Sequence, residues 1–150
     1  MSARMPLFRL PDEQGSEVGT LDAHQRAPCL VALLHGDGGG DPACAQPLEE
    51  LARRSRSSGL EGAAVFGVSL GRQLSGWAAG APFPVLREGD ASVAGAMAVA
   101  TGRAPGEPLL VAADRYGEIC GAWLVHGRTA QETIDDAVEA VRFVEQQCPE

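Results

Sequence analysis

The residues with the clearest chemical potential are Asp41-Pro42-Ala43-Cys44, which follow the glycine-rich run Gly36-Asp37-Gly38-Gly39-Gly40. Asp41 has the short acceptor side chain of a helix N-cap, and Pro42 has the fixed φ suited to a first helical position. Cys44 then falls at the third helical residue, among unpaired N–H groups whose partial positive charge favours a thiolate. A thiolate there can attack a peroxide or a disulfide. A helix N-terminus contributes ~0.3–1 kcal/mol to a nearby anion, whereas the Asp41 carboxylate at about 5 Å opposes it by roughly 1–3 kcal/mol at effective dielectric constants between water and ~20. The repulsion wins, so Cys44 is expected to be a sluggish nucleophile at neutral pH unless Arg72, Arg103 or Arg128 folds over it.

Other residues offer rival chemistry. His35-Gly36-Asp37-Gly38-Gly39-Gly40 resembles the oxyanion loop of α/β-hydrolases, Gly67-Val68-Ser69-Leu70-Gly71 matches their Gly-x-Ser-x-Gly, and Asp114 and His126 follow in triad order. The short stretch between His35 and Ser69 leaves too little chain for the elements that fold inserts there, so this is the distant alternative. A phosphate cradle at Gly36-x-Gly38 is weaker still, because Asp37 and Asp41 would repel the ligand. The remaining cysteines, Cys29, Cys120 and Cys148, form no C-x-x-C pair and no zinc spacing, so no metal is expected. Cys29 and Cys120 fall in strand-like runs and read as small buried hydrophobes.

These groups must be positioned by alternating elements. Leu7 to Gly15 and Ser16 to Leu21 read as a short hairpin, and Pro28 to Leu34 is a continuous apolar run of the kind that forms a buried strand. Ala45 to Ser58 carries Leu48, Leu51 and Ala52 on one helical face and stops at Gly59. Pro47 lies inside that helix and should kink it. Arg53, Arg54 and Arg56 suit a solvated, dipole-complementing helix end. Gly62 to Leu70 returns as a second apolar strand, which implies a parallel pair with a right-handed crossover. Glu118 to Val125 reads as a late strand. Thr129 with Glu132 forms a capping box, and Ile134, Ala137, Val138, Val141 and Val144 keep a helical apolar stripe.

The order and spacing of these segments, with Phe66-Gly67-Val68-Ser69, Phe83-Pro84-Val85-Leu86 and Glu107-Pro108-Leu109-Leu110-Val111-Ala112-Ala113-Asp114-Arg115-Tyr116-Gly117-Glu118-Ile119, resemble the thioredoxin-like alkyl hydroperoxide reductase and thiol-specific antioxidant family, the peroxiredoxins and their disulfide-reductase relatives. The resemblance covers nearly all 150 residues as one domain. It implies an α/β thioredoxin-like three-layer sandwich with a mixed central sheet and an N-terminal hairpin extension. It also implies a cis-proline at Pro108, where Glu107, Pro108 and Gly40 would meet substrate beside the catalytic Cys44 and Asp41. In the resembled fold Glu118 to Val125 runs in the direction of Pro28 to Leu34, so His35 and His126 are expected at strand ends near Cys44, and with Arg103 could assist it. Cys148, after the last helix, should lie nearer Cys29. The active-site motif departs from the family pattern: peroxiredoxins carry Pro-x-x-x-Thr/Ser-x-x-Cys, where this chain has Asp37 and Asp41, and disulfide reductases carry Trp-Cys-x-x-Cys, where it has Gly40 and Asp41.

The implied function is a one-cysteine peroxiredoxin-type antioxidant acting through Cys44 on a small peroxide or disulfide. It would need no cofactor and would draw electrons from an external thiol reductant or thioredoxin-type donor. A redox-inactive binding protein is the second reading, and a homodimer stays open. At 45% hydrophobic the chain suits burial of roughly two thirds of its unfolded surface. All 12 basic residues are arginine, which excludes lysine Schiff-base chemistry, and a net charge of -8 disfavours nucleic acid. Met1 to Pro6 lacks an apolar core and no run reaches membrane-spanning length, so a cytoplasmic protein without membrane contact is expected.

Overall fold

The computed structural model describes residues 3–34, 42–56, 60, 62–70, 80–88, 92–104, 108–124 and 130–147. The apolar run ahead of the glycine loop becomes β3 (Cys29–Leu34), the middle of a five-stranded sheet. It pairs in parallel with β4 (Ala64–Leu70) and antiparallel with β6 (Leu109–Ala113). Beyond these lie β5 (Val85–Glu88), parallel to β4, and β7 (Ile119–Leu124), antiparallel to β6, giving the order β5-β4-β3-β6-β7. The parallel β3–β4 pair and the direction of β7 agree with the sequence expectation.

Strand periodicity divides the core in two. Leu30 and Ala32 of β3, Val65 of β4, and Leu110 and Ala112 of β6 face one cluster. It is closed by Leu51 and Ala52 of α2 (Pro42–Arg56) and by Ile134, Ala137, Val138 and Val141 of α4 (Ala130–Gln147). Cys29, Val31, Leu33, Phe66, Val68, Leu109, Val111 and Ala113 face the other. Val93 and Met97 of α3 (Ser92–Thr101) and the N-terminal Met5, Phe8 and Ala23 cover that side. Helices on both faces of a mixed sheet make the three-layer sandwich. Each fully buried Leu, Ile or Val contributes roughly 1.5–3 kcal/mol by leaving water.

Two turns of one design direct the chain. In Asp12-Glu13-Gln14-Gly15-Ser16 the Asp12 carboxylate accepts the N–H groups of Gln14 and Ser16, both at 2.9 Å, while Gly15 takes φ 86. In Asp114-Arg115-Tyr116-Gly117-Glu118 the Asp114 carboxylate accepts those of Tyr116 and Glu118, again at 2.9 Å, with Gly117 at φ 85. The positive φ explains the glycine and the side-chain turn explains the aspartate. The first turn joins β1 (Leu10–Pro11) to β2 (Glu17–Val18), the second β6 to β7. The expected strand to Leu21 is shorter. Thr20–Ala23 forms the one-turn helix α1 because the Asp22 carboxylate accepts the Gly19 N–H at 2.9 Å. Buried Thr20 donates its hydroxyl to the Pro6 carbonyl at 2.7 Å.

Helix α2 begins at Pro42, with Pro47 inside its assigned length, and places Cys44 third, as the sequence implied. Asp41, its expected cap, and Thr129, the expected cap of α4, lie outside the described residues, as does Cys148. The arginine cluster departs from a simple solvated end. Arg53 is exposed and pairs with Glu50, but Arg54 is part-buried, reaches Glu50 at 3.1 Å and also engages Asp135 on α4. Arg56 donates to the Gly80 carbonyl at 3.1 Å. Arg54 thus clamps the two helices that share one face. Its partner Glu50 is held below the usual carboxylate range, chiefly by the Arg53 guanidinium.

Gly19 and Gly95 make opposite predictions. A Cβ on Gly19 would stand 2.1 Å from the Phe8 carbonyl oxygen, a backbone atom that has no easy escape. Gly19→Ala should therefore lower unfolding free energy by about 1–3 kcal/mol, the usual range for overpacking. Gly95 lies inside α3, and a methyl added there would meet nothing within 4 Å, so Gly95→Ala should raise stability by about 0.5–1 kcal/mol. Denaturant titrations of both variants test the two signs.

Candidate functional site

Strand register defines one edge of the sheet. Leu33 of β3 aligns with Val68 of β4, which aligns with Leu86 of β5, while on the other side Leu33 aligns with Leu109 and Leu109 with Leu124. The C-terminal ends of β3, β4, β5 and β7 and the start of β6 therefore share this edge. Open α/β sheets place their sites outside the carboxyl ends of the strands. The chain leaves β3 here and re-enters structure as α2, so the Cys44 backbone stands on the first turn of the helix that begins beyond this edge.

Pro108 is buried and immediately precedes β6 at the same edge. Register thus brings the start of α2 and Pro108 to one pole of the molecule. Glu107, and with it the Glu107–Pro108 bond expected in the cis form, lies outside the described residues, as do the Cys44 side chain, Gly40, Asp41, His35 and His126. Arg103 is exposed just beyond α3, where its N–H donates to the Ala98 carbonyl at 3.0 Å and Gly102 reverses the chain at φ 71. Its described contacts are those of a helix C-terminus.

The hydrolase alternative does not survive this geometry. Ser69 is fully buried within β4, paired on both sides with Leu34 and Arg87, instead of standing on an exposed elbow. Asp114 belongs to the turn after Ala113, and Ala113 aligns with Cys29 and so with Ala64, five residues along β4 from Ser69. At ~3.3 Å per residue the two ends lie about 17 Å apart. The Asp114 carboxylate is moreover committed to its own turn.

The same register separates Cys29 and Cys120 from the start of α2. Cys29 starts β3 and Cys120 lies near the start of β7, both at the far edge, whereas a disulfide needs Cα atoms within about 7 Å. Cys29 is buried, and desolvation pushes its thiol up to about 11. Cys120 corrects the sequence expectation: it is exposed. It sits beside a register shift opposite Ala112 and Ala113, on the outer strand of the sheet. Desolvation by its surroundings and then the Asp114 charge still hold its thiol above the ordinary range. Neither residue is placed to resolve an oxidised Cys44.

Among solved structures, peroxidoxin BcpB from Mycobacterium tuberculosis superimposes with a TM-score of 0.78 at 16% identity, covering 96% of this chain and 98% of that one. The fold is thioredoxin-like. Peroxiredoxin Q from Xanthomonas campestris shares it with a TM-score of 0.73 at 17% identity over 95% of this chain and 98% of that one. So does a thioredoxin-family thiol:disulfide interchange protein from Chlorobium tepidum, at 0.72 and 16% over 94% and 97%. No protein-family model and no curated protein matches the chain in sequence. Within this thioredoxin-like fold, no described group of three or more His, Cys, Asp or Glu residues could hold a metal, and no described helix is long and apolar enough to cross a membrane.

Sequence patterning did not single out Trp123 or Phe143, which line one groove at the outer margin of the sheet. One signal was available: Phe143 falls off the apolar stripe of α4 and is 57% exposed.

Cys29 predicts an alkaline effect. Its folded value of about 11 exceeds the ordinary 9.0, so the native state keeps a proton that the unfolded chain gives up. Its contribution is complete below pH 9 and declines through the interval to 11, by up to about 1.4 kcal/mol per pH unit. Cys29→Ala should lack that portion of the decline in denaturant titrations across the interval.

Proposed function

We propose that the protein is a thiol-dependent redox protein of one-cysteine peroxiredoxin type, with Cys44 as its reactive group. The observation that carries this is the position of Cys44 at the third residue of α2, at the sheet edge where β6 and Pro108 begin, in a fold it shares with proteins named as peroxiredoxins. The far-edge positions of Cys29 and Cys120 favour a single-cysteine cycle over an internal disulfide among these three cysteines.

In that cycle the Cys44 thiolate attacks one peroxide oxygen and the O–O bond breaks. The sulfur is oxidised to sulfenic acid, and the other oxygen leaves, with a proton, as water or alcohol. An external thiol then displaces water to form a mixed disulfide, and a second thiol releases Cys44 and carries away the disulfide. The chain's task is to hold Cys44 as thiolate. The N–H groups of the first turn of α2 favour that form and the Asp41 carboxylate opposes it, so turnover should be slow and should rise with pH as the thiol ionises.

Peroxide consumption with dithiothreitol as reductant tests the proposal. The wild type should consume peroxide above the uncatalysed rate and Cys44→Ser should not; equal rates would reject Cys44 chemistry in favour of a redox-inactive binder. Asp41→Thr should shift the pH profile of Cys44 alkylation to lower pH and speed labelling at neutral pH. Helix stability should change by only about 1 kcal/mol or less, since threonine also caps.

A further inference from the structure

Strand β7 is an outer strand of the sheet, and its sequence, Ile119-Cys120-Gly121-Ala122-Trp123-Leu124, holds no charge and no proline. Outer strands of soluble proteins are usually blunted by such residues, because their free N–H and C=O groups otherwise template another strand. The first rung of this edge is already used. The Ile119 N–H donates to the Ala3 carbonyl at 2.9 Å and the Met5 N–H to the Gly117 carbonyl at 2.7 Å, so Arg4 bridges Glu118 in antiparallel sense. Among the described residues, none pairs with the outer edge from Cys120 to Leu124.

Beside that edge lies an open groove of about 610 Å³ between β7 and α4, lined by Trp123, Asp136, Glu139, Ala140, Arg142 and Phe143. The Trp123 indole lies against its own strand over Gly121, where a Cβ would meet the ring at 2.3 Å, so the glycine makes room for it. An indole face near carboxylates suits a cationic side chain, and an exposed phenyl ring offers contact to its aliphatic stem. Arg142 at the groove leaves its lining acidic by one charge, and the chain as a whole carries -8. That excess favours a basic partner over a second copy of this chain.

We propose that the β7 edge and the Trp123–Phe143 groove together bind an extended peptide segment with arginine or lysine at alternate positions. The segment pairs antiparallel with Cys120–Leu124 as a sixth strand. Its backbone supplies the hydrogen bonds and every second side chain turns toward α4, where a basic residue reaches Trp123 and the Glu139 carboxylate. Nothing in this site uses Cys44, so it stands or falls independently of the redox proposal.

A fluorescein-labelled decapeptide of alternating valine and arginine tests it, by anisotropy against the full chain. Binding with a dissociation constant on the order of 10 µM is expected, weakened about tenfold by Trp123→Ala or Glu139→Gln in folded protein, as verified by circular dichroism. N-methylation of the peptide's strand-pairing amides should abolish binding, and a valine–glutamate decapeptide should not bind. Failure of the arginine peptide to bind, indifference to N-methylation, or equal binding of the acidic peptide would overturn the proposal. So would a sedimentation series showing a dimer that Trp123→Ala dissolves, which assigns the edge to a second copy, or binding only after deletion of Met1 and Ser2, which assigns it to the chain's own N-terminus.

Discussion

Everything in the molecule is referred to β3. Among the described strands it alone has a parallel neighbour on one side and an antiparallel neighbour on the other, and its side chains from Cys29 to Leu33 are all buried. Such a strand has no solvent face, so its alternating residues must each find a separate core. Leu30 and Ala32 require the α2–α4 layer, while Val31 and Leu33 require α3 and the N-terminal segment. A one-residue slip would exchange the two sets, which is why the strand's register also fixes the layers around it.

That register has a chemical consequence. Because β3 and β4 run together and β6 runs against them, the loop after β3 and the segment before β6 open on the same edge, although about seventy residues separate them in the chain. That the chain leaves β3 toward α2 on the same edge where Pro108 enters β6 is a product of topology alone. The same alignment sends the Asp114 turn, Cys29 and Cys120 to the far edge. Residue types that look interchangeable in sequence, such as Cys29, Cys44 and Cys120, are thereby sorted to opposite edges.

Electrostatics then tunes what topology has sorted. Burial raises the Cys29 thiol out of the reactive range, whereas exposure leaves Cys120 reachable yet still above its ordinary value. Arg54 is part of the frame: by engaging Glu50 on its own helix and Asp135 on α4 it ties the helix that begins with Pro42, Ala43 and Cys44 to the helix that closes the same layer. Among part-buried ions, losing one partner leaves a charge without compensation, so such a clamp matters more through its breakage than through its net contribution.

Local pattern was sufficient for the central strands and for α2 and α4, whereas the one-turn α1 and the helix α3 were not foreseen. The apolar runs at 29–34, 64–70 and 109–113, the stripe from Ile134 to Val141, and Pro42 as the first helical residue were all legible, since each depends on neighbours within a turn or a strand. The place of Cys44 at the third residue of α2 was legible for the same reason. What sequence did not decide was which faces meet and which remain open. Cys120 looks like any strand cysteine, and only the sheet order makes β7 an outer strand; Ser69 has a nucleophile's motif, and only its two neighbouring strands bury it; Arg54 reads as one of three solvated cations, and only the packing of α4 supplies Asp135. Burial, partnership and edge position are properties of contacts between distant segments, so they arise with the tertiary structure and not before it.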